Sequence, residues 1–286
     1  MPTKFKINKI LVPTDFSDLS VHALKYAGEF ARKSGADILL LHAMELYEKN
    51  TNLEGMVDYG KILKEAIREK LQSLLVDNKS LWGVKIDIML EEGKIHKVIS
   101  RVAEEQKCDL IVMGTHGASG IGKLEKYLLG SNADRTIHQT HADVVTIRTI
   151  TDDINFNDIV VPIDTTKGTE QKVAEAEKVA GVFGSKVHLI AVSSFLDEFA
   201  SSQTKLERQI RKIAETLHGK GIAVETKVLR HENIADEIMG YAESVNADLV
   251  LIMTRSENRI KEMTLGSNAR KIISESKTPV ISFHPK

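Results

Sequence analysis

The chain has 286 residues, enough for two domains of about 100 to 200 residues, each with a core of its own. Its 39 Lys and Arg nearly balance its 40 Asp and Glu, so no overall field gathers a polyanion or a membrane surface, and neither nucleic acid nor membrane is an expected partner. The single cysteine, Cys108, excludes an intrachain disulfide framework and a thiolate metal cluster, and it suits a reducing compartment.

The opening MPTKFKINKILVP carries lysines, but its apolar run is too short for a signal-peptide core and no small-residue cleavage site follows. No apolar stretch approaches the roughly 20 residues that span a bilayer. A soluble, cytoplasmic protein is the expectation.

Taken in chain order, ILVP is a short β-branched run, and LSVHALKYAGEFARKSG follows with apolar residues at helical spacing and a closing glycine. ADILLLHAM reads as a buried strand and DYGKILKEAIREKLQSLL as an amphipathic helix whose KEAIREK stretch is a solvated face with i, i+4 pairs. VKIDIML, DLIVMG and DVVTIR are further strands, separated by the helices HKVISRVAEEQ and SNADRTIHQT. After a polar, aperiodic seam, RTITDDINFND at 148–158, the pattern recurs with IVVPID, KVHLIAV, AVETKVL, DLVLIM and PVISF as strands.

The recurrence extends to the residues. KINKILVPTDFSD (6–18) aligns with NFNDIVVPIDTTK (155–167), CDLIVMGTHG (108–117) with ADLVLIMTRS (247–256), and LGSNADRTI (129–137) with LGSNARKII (265–273), in the same order. Two domains follow, 1–149 and 150–286. Strands alternating with helices imply, in each, an open twisted parallel five-stranded sheet with helices on both faces, a Rossmann-like α/β fold. Ligands of such sheets sit outside the carboxyl ends of the strands. Strand 1 brings Thr14 and Asp15 to that rim, strand 2 His42 and Ala43, and strand 4 Gly114 through Gly117.

Backbone N–H groups recognise phosphates if the chain comes close, and glycines permit the approach. Gly114, Gly117, Gly120 and Gly122 make such a loop, and Gly130-Ser131-Asn132 opens a helix whose N-terminus offers free N–H groups and the Ser131 hydroxyl. Neither the GxxxxGK[ST] nor the GxGxxG spacing is present. Ser131 and Ser267 also read as plain helix caps, and Asp15 as a cap of the first helix beside Ser17 and Asp18. His138 and His141, three apart, lack a third metal ligand nearby, and no metal site is expected. His42 reads as a packed rim histidine and Cys108 as a small apolar residue.

VPTDFSDLSVHAL, the strand end DLIVMGTHG and GSNADRTI together resemble the universal stress protein family in its tandem form, over essentially the whole chain. The resemblance implies two copies of the adenine-nucleotide alpha-hydrolase-like fold, ATP as ligand with Mg²⁺ as an optional companion, and a stress-response role. ATP-binding members share G-2x-G-9x-G-[S/T]. Gly117, Gly120, Gly130 and Ser131 meet that spacing literally, whereas Gly114 and Gly117 stand directly at the strand end and leave a three-residue insertion before Gly130. The second register is preferred, because the strand end fixes where the loop starts. By the resemblance, Asp15 and the backbone of Ala43 face adenine or ribose, Thr14 lies near the phosphates, Met113 touches sugar or base, and Gly114, Gly117, Gly130, Ser131 and Asn132 hold the phosphates.

The second copy keeps Asp164, Val192 and Gly266-Ser267-Asn268, but Thr254 and Glu257 stand where the first glycine pair is expected, and this half is expected to bind ATP weakly or not at all. The family also implies that DVVTIR and PVISF pair across a two-fold, so that the halves form an internal pseudo-dimer; a further homodimer and an unidentified protein partner are compatible with it. No nucleophile with a positioned base is apparent, so the first reading is a nucleotide-dependent regulatory or interaction module. Two others remain: a slow Mg-dependent ATPase or autophosphorylating enzyme using Asp15 or Ser131, and a nucleotide-free protein holding a lipid or metabolite. The stretch ELYEKNTNLEGMVDYG (45–60), long for its place, is a candidate lid or partner surface, with SSFLDEFASSQ as its shorter counterpart.

Overall fold

The computed structural model describes residues 7–45, 56–78, 81–116, 130–164, 168–193, 200–230, 233–254 and 266–284. The first half runs β1 (Lys9–Pro13), α1 (Asp18–Ser34), β2 (Asp37–Met44), α2 (Met56–Asp77), β3 (Ile86–Glu92), α3 (Ile95–Glu105), β4 (Leu110–Gly114), α4 (Ser131–Gln139) and β5 (Asp143–Ile147). The second repeats it with β6 (Asp158–Ile163), α5 (Gly168–Phe183), β7 (Lys186–Ser193), α6 (Ala200–His218), β8 (Val224–Arg230), α7 (Ile234–Ser244), β9 (Leu249–Met253), α8 (Ser267–Glu275) and β10 (Val280–Phe283).

Local chemistry explains where elements start and stop. The Ser17 side chain caps α1 by accepting from Ser20 N, Asp18 sits in the positive first turn and Arg32 and Lys33 in the last, and Gly35 ends the helix with φ of 76° while its N–H reaches Ala31 O. Lys94 gives α3 no side-chain cap; Glu45, just past β2, accepts from Ile95 N at 3.2 Å instead. The inner strands, unlike the outermost β3 and β8, are buried on both faces, which is why they read as continuous apolar runs. Ile10, Val12, Ile38, Leu40 and Val112 pack under α1 and α2, whereas Leu11, Leu39, Leu41 and Ile111 pack under α3 and α4.

Among the described residues the ten strands form one sheet, in the order β3-β2-β1-β4-β5-β10-β9-β6-β7-β8. Every pairing is parallel except β5 with β10, which is antiparallel and sets Val145 opposite Ile281, Thr146 opposite Val280 and Val144 opposite Ser282. The two predicted parallel sheets are thus present and joined edge to edge. Two edges that would otherwise offer unpaired N–H and C=O groups cover one another.

The segment between β5 and β6 is less polar in its behaviour than its composition suggests. Phe156 is buried, stacked on Phe183 at 4.3 Å between ring centroids and edge-on to Tyr26 and Phe30 at 4.9 and 5.3 Å. This aromatic cluster fastens the connection against α1 and α5, and burying such a side chain contributes about 1.5 to 3 kcal/mol.

Candidate functional site

The carboxyl rim of the first half is built from three strand ends. Thr14 follows β1 and is buried; its N–H donates to Leu41 O at 2.8 Å, and its hydroxyl lies 3.0 Å from that of Ser20 and accepts from Phe16 N at 3.1 Å. Its carbonyl accepts from His42 Nδ1 at 2.7 Å, which ties β1 to β2 and gives His42 the packed rim position expected of it. Asp15 is exposed, and its Oδ1 accepts from Ser17 N at 3.1 Å and Ser17 Oγ at 2.6 Å. Asp15 therefore orients the residue that caps α1 and does not cap the helix itself. Ala43 is half-buried beside His42.

Phe16 adopts φ of 65°, unusual for a residue with a side chain. Its ring lies 4.8 Å from that of His42, and Lys70 of α2 places its Nζ 4.2 Å from the ring centroid. In the second half α6 reaches the matching loop in another way, with Gln209 Nε2 donating to Asp164 O at 3.3 Å.

At the end of β4, Met113 is buried in the apolar layer under α3 and α4, so its side chain is not offered to the rim. Gly114 is needed for space: a Cβ there would stand 2.9 Å from Leu19 Cγ. Thr115 N donates to Ile147 O, and Thr115 O accepts from Gly130 N, both at 2.9 Å. A Cβ on Gly130 would stand 2.4 Å from Thr115 O, a backbone atom that cannot swing aside. Strand end and helix start are therefore pressed together. Gly117, Gly120, Gly122 and Glu257, with most of 45–60, lie outside the described residues.

Gly130 is the N-cap of α4 and supplies no side-chain acceptor. The reading of Ser131 and Ser267 as caps is thereby corrected, because each stands at the first helical position after a glycine cap. The first-turn N–H groups of α4 suit an anion. Ser131 is exposed and Asn132 half-buried. Asn132 lies beside His96 of α3, a neighbour that sequence reasoning did not identify. His96 is itself buried, and burial, with Arg135 close by, holds its imidazole below the usual range.

The strand registers correct one expectation about the second half. Ile10 pairs with Leu110 as Ile159 pairs with Leu249, so Met253 stands where the first half has Gly114, and Thr254 matches Thr115. Thr254 N donates to Phe283 O just as Thr115 N donates to Ile147 O. Asp164 is also held differently from Asp15. Thr169 Oγ1 donates to its carboxylate at 2.9 Å and Lys172 Nζ at 3.0 Å. Lys172 occupies the place of Ala23 in the first half, a difference visible once the repeat alignment is extended through α1 and α5. Among the described residues no atom lies within 4 Å of where a Cβ on Gly266 would stand, in contrast with Gly130.

Two doubly wound α/β halves, each a parallel sheet with helices on both faces, define the class. The sequence model of the universal stress protein family matches residues 6–148 and again 155–284, and the chain belongs to that family. A universal stress protein of Methanocaldococcus jannaschii is 35% identical over 145 residues, 49% of this chain and 81% of that protein. A Na(+)/H(+) antiporter of Synechocystis is 23% identical over 289 residues, 99% of this chain but 39% of the antiporter. The crystal structure of a universal stress protein from Archaeoglobus fulgidus matches with a TM-score of 0.74 at 23% identity, covering 98% of this chain and 97% of that one, and so shares the fold. Among the described residues no helix is long and apolar enough to cross a membrane.

Proposed function

We propose that the first half binds ATP at the rim formed by Thr14, Asp15, Ala43, Gly114, Gly130, Ser131 and Asn132, and that the protein works as a nucleotide-dependent regulatory or interaction module. The observation that carries this reading is the contact between Gly130 and Thr115. It sets an uncapped helix N-terminus directly beside a strand end, and the corresponding glycine of the second half meets no such constraint from the described residues. A phosphate chain suits the α4 N-terminus, whose first N–H groups have no side-chain acceptor from the cap, while Asp15 and the Ala43 backbone offer polar groups for the sugar and base. The alignment with part of an antiporter supports a module that serves a larger function, since there the two-domain unit accounts for 39% of the protein.

In the second half, Lys172 neutralises Asp164, and Met253 fills the position of Gly114. We assign no nucleotide to that rim. Calorimetric titration of Mg-ATP into the full chain tests the reading. One site is expected, weakened about tenfold or more in Asp15→Ala, since a hydrogen bond to a charged group is worth about 1.5 to 3 kcal/mol. Asp164→Ala should leave it unchanged. Loss in Asp164→Ala with retention in Asp15→Ala would move the ligand to the second half, and no binding to the wild type would remove ATP from the proposal.

A further inference from the structure

The antiparallel pairing of β5 and β10 relates the halves by an approximate two-fold axis. Val145 and Ile281 occupy the same position in the two repeats and face each other, so the axis passes through that pair. A two-fold brings any residue beside it against its own counterpart. Asp134 of α4 and Arg270 of α8 are also counterparts, as the alignment of LGSNADRTI with LGSNARKII shows, and they meet: Arg270 Nη2 lies 3.5 Å from Asp134 Oδ1. That oxygen is shut off from solvent and, among the described residues, accepts no hydrogen bond at normal distance; His138 Nε2 lies 3.6 Å from it. A second cross-seam contact is equally one-sided. Arg148, just past β5, donates to Ser274 O in the last turn of α8, where a cation is favoured, whereas the counterpart of Arg148 is His284.

We infer that this seam is a selective interaction surface: it accepts one first half and one second half, and rejects two of a kind. If two chains paired through their first halves, the same symmetry would set Asp134 against Asp134 with an oxygen already removed from water. Two second halves would set Arg270 against Arg270. The apolar strand edges do not discriminate, since Val144, Val145, Val280 and Ile281 are interchangeable β-branched residues. Selectivity therefore comes from the repulsive alternatives as much as from the ion pair itself. The partner that fits β5 and α4 is an edge carrying a cation at the axial position, which this chain supplies to itself.

The full chain can report its own pairing. With Cys108→Ala and Val145→Cys, pairing of two first halves sets Cys against Cys at a separation a disulfide spans, whereas the closed chain sets Ile281 there. The protein is unfolded, refolded at high concentration under oxidising conditions, and the covalent dimer is quantified by non-reducing electrophoresis. The parent should give little dimer. Adding Asp134→Asn with Arg270→Asn should raise the dimer fraction about fivefold, the size of effect that one kilocalorie makes. The charge swap, Asp134→Arg with Arg270→Asp, should return it to the parent level, which a variant that merely folds badly would not do. Equal yields in all three overturn the inference, and so does a swap that dimerises as much as the neutral variant.

Discussion

The two halves carry the same strand order and the same Gly-Ser-Asn helix start, yet the same residues are under different constraints. Gly130 touches the Thr115 carbonyl so closely that no side chain fits, whereas no described residue crowds Gly266. Asp15 orients the cap of α1, whereas its counterpart Asp164 is bound by Lys172. After a duplication, a motif persists through inheritance as well as through use. The packing around each copy of a residue, rather than its presence, distinguishes the two.

The sharpest way to break this comparison is Gly130→Ala beside Gly266→Ala. Gly130→Ala should cost about 1 to 3 kcal/mol by overpacking and abolish Mg-ATP binding. Gly266→Ala should stay within about 0.5 kcal/mol. Urea denaturation and calorimetry read both, and equal costs would mean that the two helix starts are equivalent after all. Next in size, Lys172→Ala should lower stability by about 0.2 to 1 kcal/mol, because the Asp164 side chain is 52% exposed, and should leave the second half without nucleotide. A gain of Mg-ATP binding from that single change would show that the ion pair, not Met253, closes the second rim.

Two buried histidines give the first half a pH dependence that their counterparts, Gln171 and Ala235, do not supply to the second. Burial holds His22 and His96 below their usual value near 6.5. Between the folded and unfolded values the unfolded chain binds more protons, so this stability is fully present above about pH 6.5 and is lost as pH falls through the folded values. Melting temperatures measured from about pH 7.5 down to about 5 should therefore fall less steeply in His22→Gln and His96→Ala. An unchanged slope would assign the acid sensitivity elsewhere. The smallest expected effect concerns Cys108, whose counterpart is Ala247. Burial pushes its thiol up to about 11, so a disulfide reagent at about pH 8 should label it only on unfolding. Rapid labelling of the native chain would contradict the packing under α3.

Every strand core was legible in the sequence because β-branched runs between helices leave little choice of element, and the joined edges were what the family resemblance implied. What escaped depended on contacts between residues far apart in the chain. One exception lay within reach: the alignment of 108–117 with 247–256 already sets Gly114 opposite Met253, as the pairing of β4 and β9 with β1 and β6 bears out, so placing it opposite Thr254 misread that alignment by one residue. Ser131 looked like a cap because serine favours that position, but the close approach of Thr115 gives the place to Gly130. Phe156 stood in a polar stretch, and nothing local announced the rings of Tyr26, Phe30 and Phe183 that receive it. Asn132 and His96 come together from two helices, and no spacing rule predicts their proximity.

Because strand direction reverses between β5 and β10, the carboxyl ends of β1, β2 and β4 point to one long edge of the sheet and those of β6, β7 and β9 to the other. The two rims thus open on opposite long edges of a single sheet. A protein gripping the second rim leaves the first unobstructed, and one that senses the first need never touch the second. On the proposed reading, a change at the nucleotide rim and a contact at the second rim would therefore meet solvent on opposite sides of one sheet.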